Sequence, residues 1–110
     1  MTVASFYSKG NFFSASIKGH AEYNPGNDIV CASCSMLACA LAENLMRMYA
    51  AGEIEYAAAQ KKSGEMMITA EGDAKKMWHI VQAFGVGFEM LAKKYPKNVR
   101  FSCRVGAREE

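Results

Sequence analysis

The chain has 110 residues, 51% of them hydrophobic, with 13 basic and 11 acidic residues and a net charge of +2. That is one domain's length, with enough apolar residues for a core that needs no disulfide staples. So balanced a charge speaks against a protein whose main work is gripping phosphates, and the lysine pairs at 61–62, 75–76 and 93–94 fall in three different segments.

Val3 to Tyr7 is apolar and suited to a strand, and Ser8-Lys9-Gly10-Asn11 supplies a turn. From Phe12 to Gly19, the residues Phe13, Ala15 and Ile17 alternate with Ser14, Ser16 and Lys18. The two stretches predict a β-hairpin, with His20 at the exit of its second strand. A polar loop with Pro25, Gly26 and Asn27 leads to Asp28, whose carboxylate suits a helix N-cap. Cys34, Leu37, Ala38, Leu41, Leu45 and Met48 then form one helical stripe, and Gly52 is placed to end it. Met36, Cys39 and Met46 make the other face of this helix apolar too, which either packing on two sides or a dimer contact would explain.

Ile54, Tyr56 and Ala58 alternate with Glu53, Glu55 and Ala57 as a third strand, and Lys61 to Glu65 reads as a turn. Met66, Ile68 and Ala70 alternate with Met67, Thr69 and Glu71 in a fourth. Asp73 caps a second helix, along which Met77, Ile80, Val81, Phe84, Phe88, Leu91 and Tyr95 keep helical spacing, with Pro96 just beyond. Gly85 and Gly87 weaken that helix by about 1 kcal/mol each relative to alanine, so they mark close packing or a bend. Val99, Phe101, Cys103 and Val105 alternate with Arg100, Ser102 and Arg104 as a fifth strand, and the final Ala107 to Glu110 reads as a solvated tail. The order is ββαββαβ. Its short turns predict an α+β domain over residues 1–110, a mainly antiparallel five-stranded sheet packed with two long helices.

The chain shows no secretory signal and no stretch approaching the roughly 20 apolar residues of a membrane span, so a cytoplasmic location without membrane contact is expected. Three of the four cysteines (31, 34, 39 and 103) fall within nine residues, which suits free thiols in a reducing compartment better than a disulfide scaffold.

Cys31 lies in the first turn of the helix capped by Asp28. Amides there lack intrahelical partners, and the positive end of the helix dipole favours a thiolate. The same amides are placed to receive an oxyanion. The plain alternative is a small residue extending the Cys34 stripe. His20 shifts the balance, because an imidazole can take the thiol proton and return one to a leaving amine. Asp28 has two possible roles: capping the helix, or orienting His20 as the third member of a triad. Cys31 and Cys34 also spell C-x-x-C, which at a helix start suits thiol–disulfide exchange, although no buried βαβ strand precedes it. Metal is a weaker reading: a zinc site wants four ligands and no second ligand pair follows, while Cys34 and Cys103 fit core positions. Neither a metal nor any cofactor is expected.

The stretch Gly19-His20-Ala21, a loop, then Gly26, Asp28-Ile29-Val30-Cys31-Ala32 and Ser35 resembles the signature of the ribosomal-processing cysteine protease Prp family. Gly87, Phe88, Leu91, Tyr95 and Pro96 are similar to that family's C-terminal motif. The resemblance implies a cysteine endopeptidase of Firmicutes-type bacteria. It would remove the N-terminal extension of large-subunit ribosomal protein twenty-seven after an aromatic-rich sequence, as a homodimer, with no direct nucleic-acid contact. It also implies Cys31 as nucleophile, His20 as general base and acid, and Asp28 as a supporting residue. A substrate loop would comprise Gly19, Ala21, Glu22, Tyr23, Asn24, Pro25, Gly26 and Asn27. A redox protein using Cys31 and Cys34, and a noncatalytic ribosome-assembly module, are the competing readings.

Overall fold

The computed structural model describes residues 1–106, so the expected tail at 107–110 lies outside the described residues. The elements run β1 (Thr2–Lys9), β2 (Phe12–Lys18), α1 (Ile29–Ala50), β3 (Tyr56–Lys62), β4 (Glu65–Glu71), α2 (Ala74–Lys94) and β5 (Val99–Val105), the predicted order ββαββαβ. The sheet order is β3-β4-β2-β1-β5. Pairing is antiparallel for β1–β2, β2–β4 and β3–β4 and parallel for β1–β5, so the sheet is mixed but mainly antiparallel. The parallel pair follows from the connection, since β5 returns to the sheet through the whole of α2 rather than a tight turn.

Alternation decides which face is covered. Ala4 and Phe6, Phe13, Ala15 and Ile17, and Met66, Ile68 and Ala70 are buried beneath the helices. In register, Cys103, Phe6, Ala15, Ile68 and Ala59 form one row across the sheet. Phe6 is the hub: its ring meets Phe13, Phe88 and Phe101 edge-on at centroid distances of 5.4, 5.8 and 5.2 Å. Such edge-to-face pairs put ring hydrogens against neighbouring π-faces and add to the burial of three large side chains.

The α1 stripe packs as predicted, with Val30, Cys34, Ala38, Leu41, Ala42 and Leu45 all buried. Of the other apolar residues on this helix, Cys39 packs against the core, whereas Met36 and Met46 are exposed. By length and composition α1 is apolar enough to cross a membrane, contrary to the sequence expectation. Alanine, methionine and cysteine raise its hydropathy although Glu43, Asn44 and Arg47 interrupt the run, and the buried stripe lies on the sheet. In α2, a Cβ on Gly87 would stand 3.0 Å from Leu37 Cδ2, so this glycine marks close helix–helix packing.

Three expectations need correction. β3 begins at Tyr56 and buries Ala57, not Tyr56, because Ile54 anchors the preceding loop in the core and reverses the inward phase. Cys103 is exposed rather than packed, since burial decays along the edge strand β5 from Val99 to Val105, which is 77% exposed. The predicted β3–β4 turn is shorter than expected and consists of Ser63 and Gly64 alone.

Candidate active site

The end of β2, the β3–β4 turn and the N-terminus of α1 meet at one end of the sheet. Gly19 donates its N–H to the Gly64 carbonyl at 2.7 Å, which fastens the exit of β2 to that turn. His20 follows on the surface. Cys31, half-buried, lies in the first turn of α1. A cavity of about 130 Å³ lies on one side of the pair, lined by Gly19, Cys34, Ser35, Lys61, Lys62 and Gly64 among others. A second, of about 210 Å³, lies on the other, against Glu22, Pro25, Gly26 and Asp28. His20 and Cys31 are the two residues that line both. An imidazole and a thiol therefore share the walls of two adjoining hollows.

Asp28 shows how the loop is held. Its Oδ1 accepts from Val30 N–H at 3.0 Å and Cys31 N–H at 2.9 Å, and its Oδ2 from Tyr23 N–H at 2.8 Å and Asn24 N–H at 3.2 Å. One carboxylate thus caps the helix and clamps the loop. Partial burial raises its pKa, but the amides of Cys31, Asn24, Tyr23 and Val30 outweigh this and hold it below the usual 3.8. Its oxygens are spent on backbone, and among the described residues nothing hydrogen-bonds the His20 ring. Of the two roles open to Asp28, the geometry displays the cap. The same bonds narrow the set of α1 amides that are left to receive an oxyanion. Val30 and Cys31 N–H already serve the Asp28 side chain, and Ala32 N–H serves its carbonyl at 3.0 Å.

The remaining loop residues divide. Glu22, Pro25 and Gly26 line the second cavity and Gly19 the first. Asn24 and Asn27 close a tight turn, Asn27 N–H to Asn24 carbonyl at 3.0 Å, with Pro25 and Gly26 (φ 90°) in its centre, the pairing a type II turn requires. Ala21 is buried at 1% exposure, so it belongs to the core rather than to a substrate surface. Tyr23 turns away to meet Tyr95 edge-on at 5.2 Å.

Cys34 lines the first cavity but is buried. Burial and the nearby Cys31 push its thiol from the usual 9.0 up to about 11, against the opposing hydrogen bond of Thr2. A thiol held protonated in this way is a poor exchange partner at neutral pH. All four cysteines are free, and no group of three or more potential ligands gathers among the described residues to hold a metal ion.

Two contributors were not legible in the sequence. Asn98, just before β5, donates Nδ2–H to the Ala21 carbonyl at 2.9 Å and so ties the loop to the far end of the chain. Gly64 lies against the imidazole itself: a Cβ there would stand 3.1 Å from His20 Nε2. Local patterning marked Gly64 as a turn residue and singled out nothing at Asn98.

Comparison with known proteins agrees with this architecture. Three solved structures share the fold. SMU.848 from Streptococcus mutans matches with a TM-score of 0.70 and 24% identity over 96% of each chain. The essential ribosomal processing protease Prp from S. aureus, with a covalently linked product peptide, matches at 0.69 and 19% identity, over 94% of this chain and 99% of that one. The same protease with a substrate peptide matches at 0.64 and 20%, with the same coverage. No curated protein matches in sequence. The model of the family described as cysteine protease Prp matches residues 1–100, and with a thiol and an imidazole at the junction of two cavities on the family's fold, this chain belongs to the cysteine protease Prp family.

Proposed function

We propose that the protein is an endopeptidase that removes the N-terminal extension of large-subunit ribosomal protein twenty-seven, with Cys31 as nucleophile and His20 as general base and acid. The observation that carries this reading is that these two residues line both cavities in a member of a cysteine protease family. In support, the S. aureus protease of the same fold is a ribosomal processing enzyme described with substrate and product peptides.

The steps follow from the side chains. His20 takes the thiol proton, and the sulfur attacks the peptide carbonyl. The tetrahedral adduct collapses to a thioester as His20 returns the proton to the leaving amine. Water, deprotonated by the same imidazole, then releases the acid and the free thiol. The substrate crosses the His20–Cys31 junction in extended form, with one arm against Glu22, Pro25 and Gly26 and the other toward the β3–β4 turn. Asp28 keeps the loop and the helix start in register while this happens. The redox alternative is not favoured, because Cys34 sits in the core with its thiol protonated.

We further propose a cytoplasmic homodimer formed by a single catalytic domain. Four unpaired thiols support the compartment. Exposed Ile29, Met36 and Met90 flank an apolar groove of about 760 Å³ between α1 and α2, which supports self-association. The experiment is to incubate the protein with the precursor of the ribosomal protein and locate the cut by mass spectrometry. Cleavage retained by Cys31→Ala overturns the assignment.

A further inference from the structure

We propose that Gly64 is a positioning residue for the catalytic base: the bare backbone of the β3–β4 turn is the seat on which the His20 imidazole rests. The inference builds on the assignment of His20 as base. Three observations converge on it. No carboxylate or other group hydrogen-bonds the His20 ring among the described residues, so hydrogen bonding does not set its direction. The turn instead meets the ring directly, since a Cβ on Gly64 would lie 3.1, 3.6 and 3.7 Å from Nε2, Cε1 and Cδ2. The turn is also fixed relative to the histidine backbone, because Gly64 accepts the 2.7 Å hydrogen bond from Gly19, the residue before His20. One residue thereby holds the backbone beside the base and limits the travel of its side chain.

The ring is exposed, so it can yield. A methyl group at Gly64 displaces the imidazole outward rather than breaking the turn. Because geometry to within an ångström controls proton transfer, the effect falls on chemistry more than on stability. Gly64 has φ +70°, so any side chain there also carries backbone strain, and this has to be separated from the contact. Gly10 supplies the control: it occupies the β1–β2 turn at φ +57° with nothing within 4 Å of its would-be Cβ.

Gly64→Ala and Gly10→Ala are compared for Tm, for kcat and KM on the precursor peptide, and for the pH profile of Cys31 alkylation by iodoacetamide. The alkylating agent is small enough not to need the substrate cavities. Both variants are expected to lose similar Tm, while Gly10→Ala keeps wild-type kcat. Gly64→Ala loses about ten- to a hundredfold in kcat with little change in KM, and its alkylation profile moves onto that of His20→Ala. Gly64→Asn, which tolerates positive φ better and carries the same Cβ, shows the same kcat loss with a smaller fall in Tm. The proposal is overturned if Gly64→Ala loses no more kcat than Gly10→Ala. It is also overturned if the loss lies wholly in KM with a wild-type alkylation profile, which would mean the methyl blocks substrate. If His20→Ala itself leaves kcat and the alkylation profile unchanged, the assignment of the base fails and the role of Gly64 goes with it.

Discussion

The buried thiol of Cys34 gives a stability signature that separates a core residue from a redox partner. In the folded chain its pKa is pushed up to about 11, by burial first and by the neighbouring Cys31 next. Unfolded, it returns to the usual 9.0. Below pH 9 both states hold the proton, and the stabilising difference is fully present. Between pH 9 and 11 the unfolded state ionises while the folded state does not, so stability drains away as pH rises. Two pH units correspond to about 3 kcal/mol lost over that window, an order-of-magnitude figure for a thiol shielded from solvent. Cys34→Ala lacks this term but gives up the packing of a buried sulfur, a cost of about 1 kcal/mol. Urea unfolding of both proteins at steps from pH 7 to 11 then gives crossing curves: the variant is weaker at pH 7 and stronger near pH 11. Lysines and tyrosines that titrate in the same range cancel in the difference. Parallel curves would refute the reasoning, and so would abolition of cleavage by Cys34→Ala at neutral pH, because a core thiol contributes packing and not chemistry.

Three further outcomes are expected. In peptide cleavage followed by mass spectrometry, Cys31→Ala is inactive, and His20→Ala falls by about a hundred- to ten-thousandfold in kcat, the usual contribution of general acid–base catalysis. Asp28, whose carboxyl is held below 3.8 by four amides, stabilises the loop above its unfolded pKa and loses that effect as pH falls through the lower folded value. Hydrogen exchange therefore shows the Tyr23 and Asn24 amides protected at neutral pH, less protected in acid, and unprotected at both in Asp28→Ala. Phe88, fully buried between Phe6 and Phe101, costs about 3–5 kcal/mol when truncated to alanine, read as a shifted urea midpoint at pH 7.

Much of the fold was legible because its periodicities are local. The Phe13-Ala15-Ile17 alternation and the Cys34-Ala38-Leu41-Leu45 stripe each face the core without help from distant residues. Asp28 was readable as a cap for the same reason, since its partners Val30 and Cys31 lie two and three positions on. The phase of β3 was not, because a run of alanines carries little preference for either face and the buried Ile54 outside the strand settles it. Cys103 misled because alternation records a strand but not whether a helix reaches that part of it.

The sequence by itself determined the order of elements, the caps of both helices and the candidate pair of His20 and Cys31, since these depend on spacing and side-chain type. The resemblance to a family added the class of substrate that they would attack. Only the structure decided that the second oxygen of Asp28 serves the loop amides of Tyr23 and Asn24 rather than His20. It also decided that Asn98 holds Ala21 and that Gly64 underlies the imidazole. The last two are contacts between segments far apart in the chain, made when β2, β4 and β5 join one sheet, and no local pattern encodes a neighbour that only the closing of the sheet brings near.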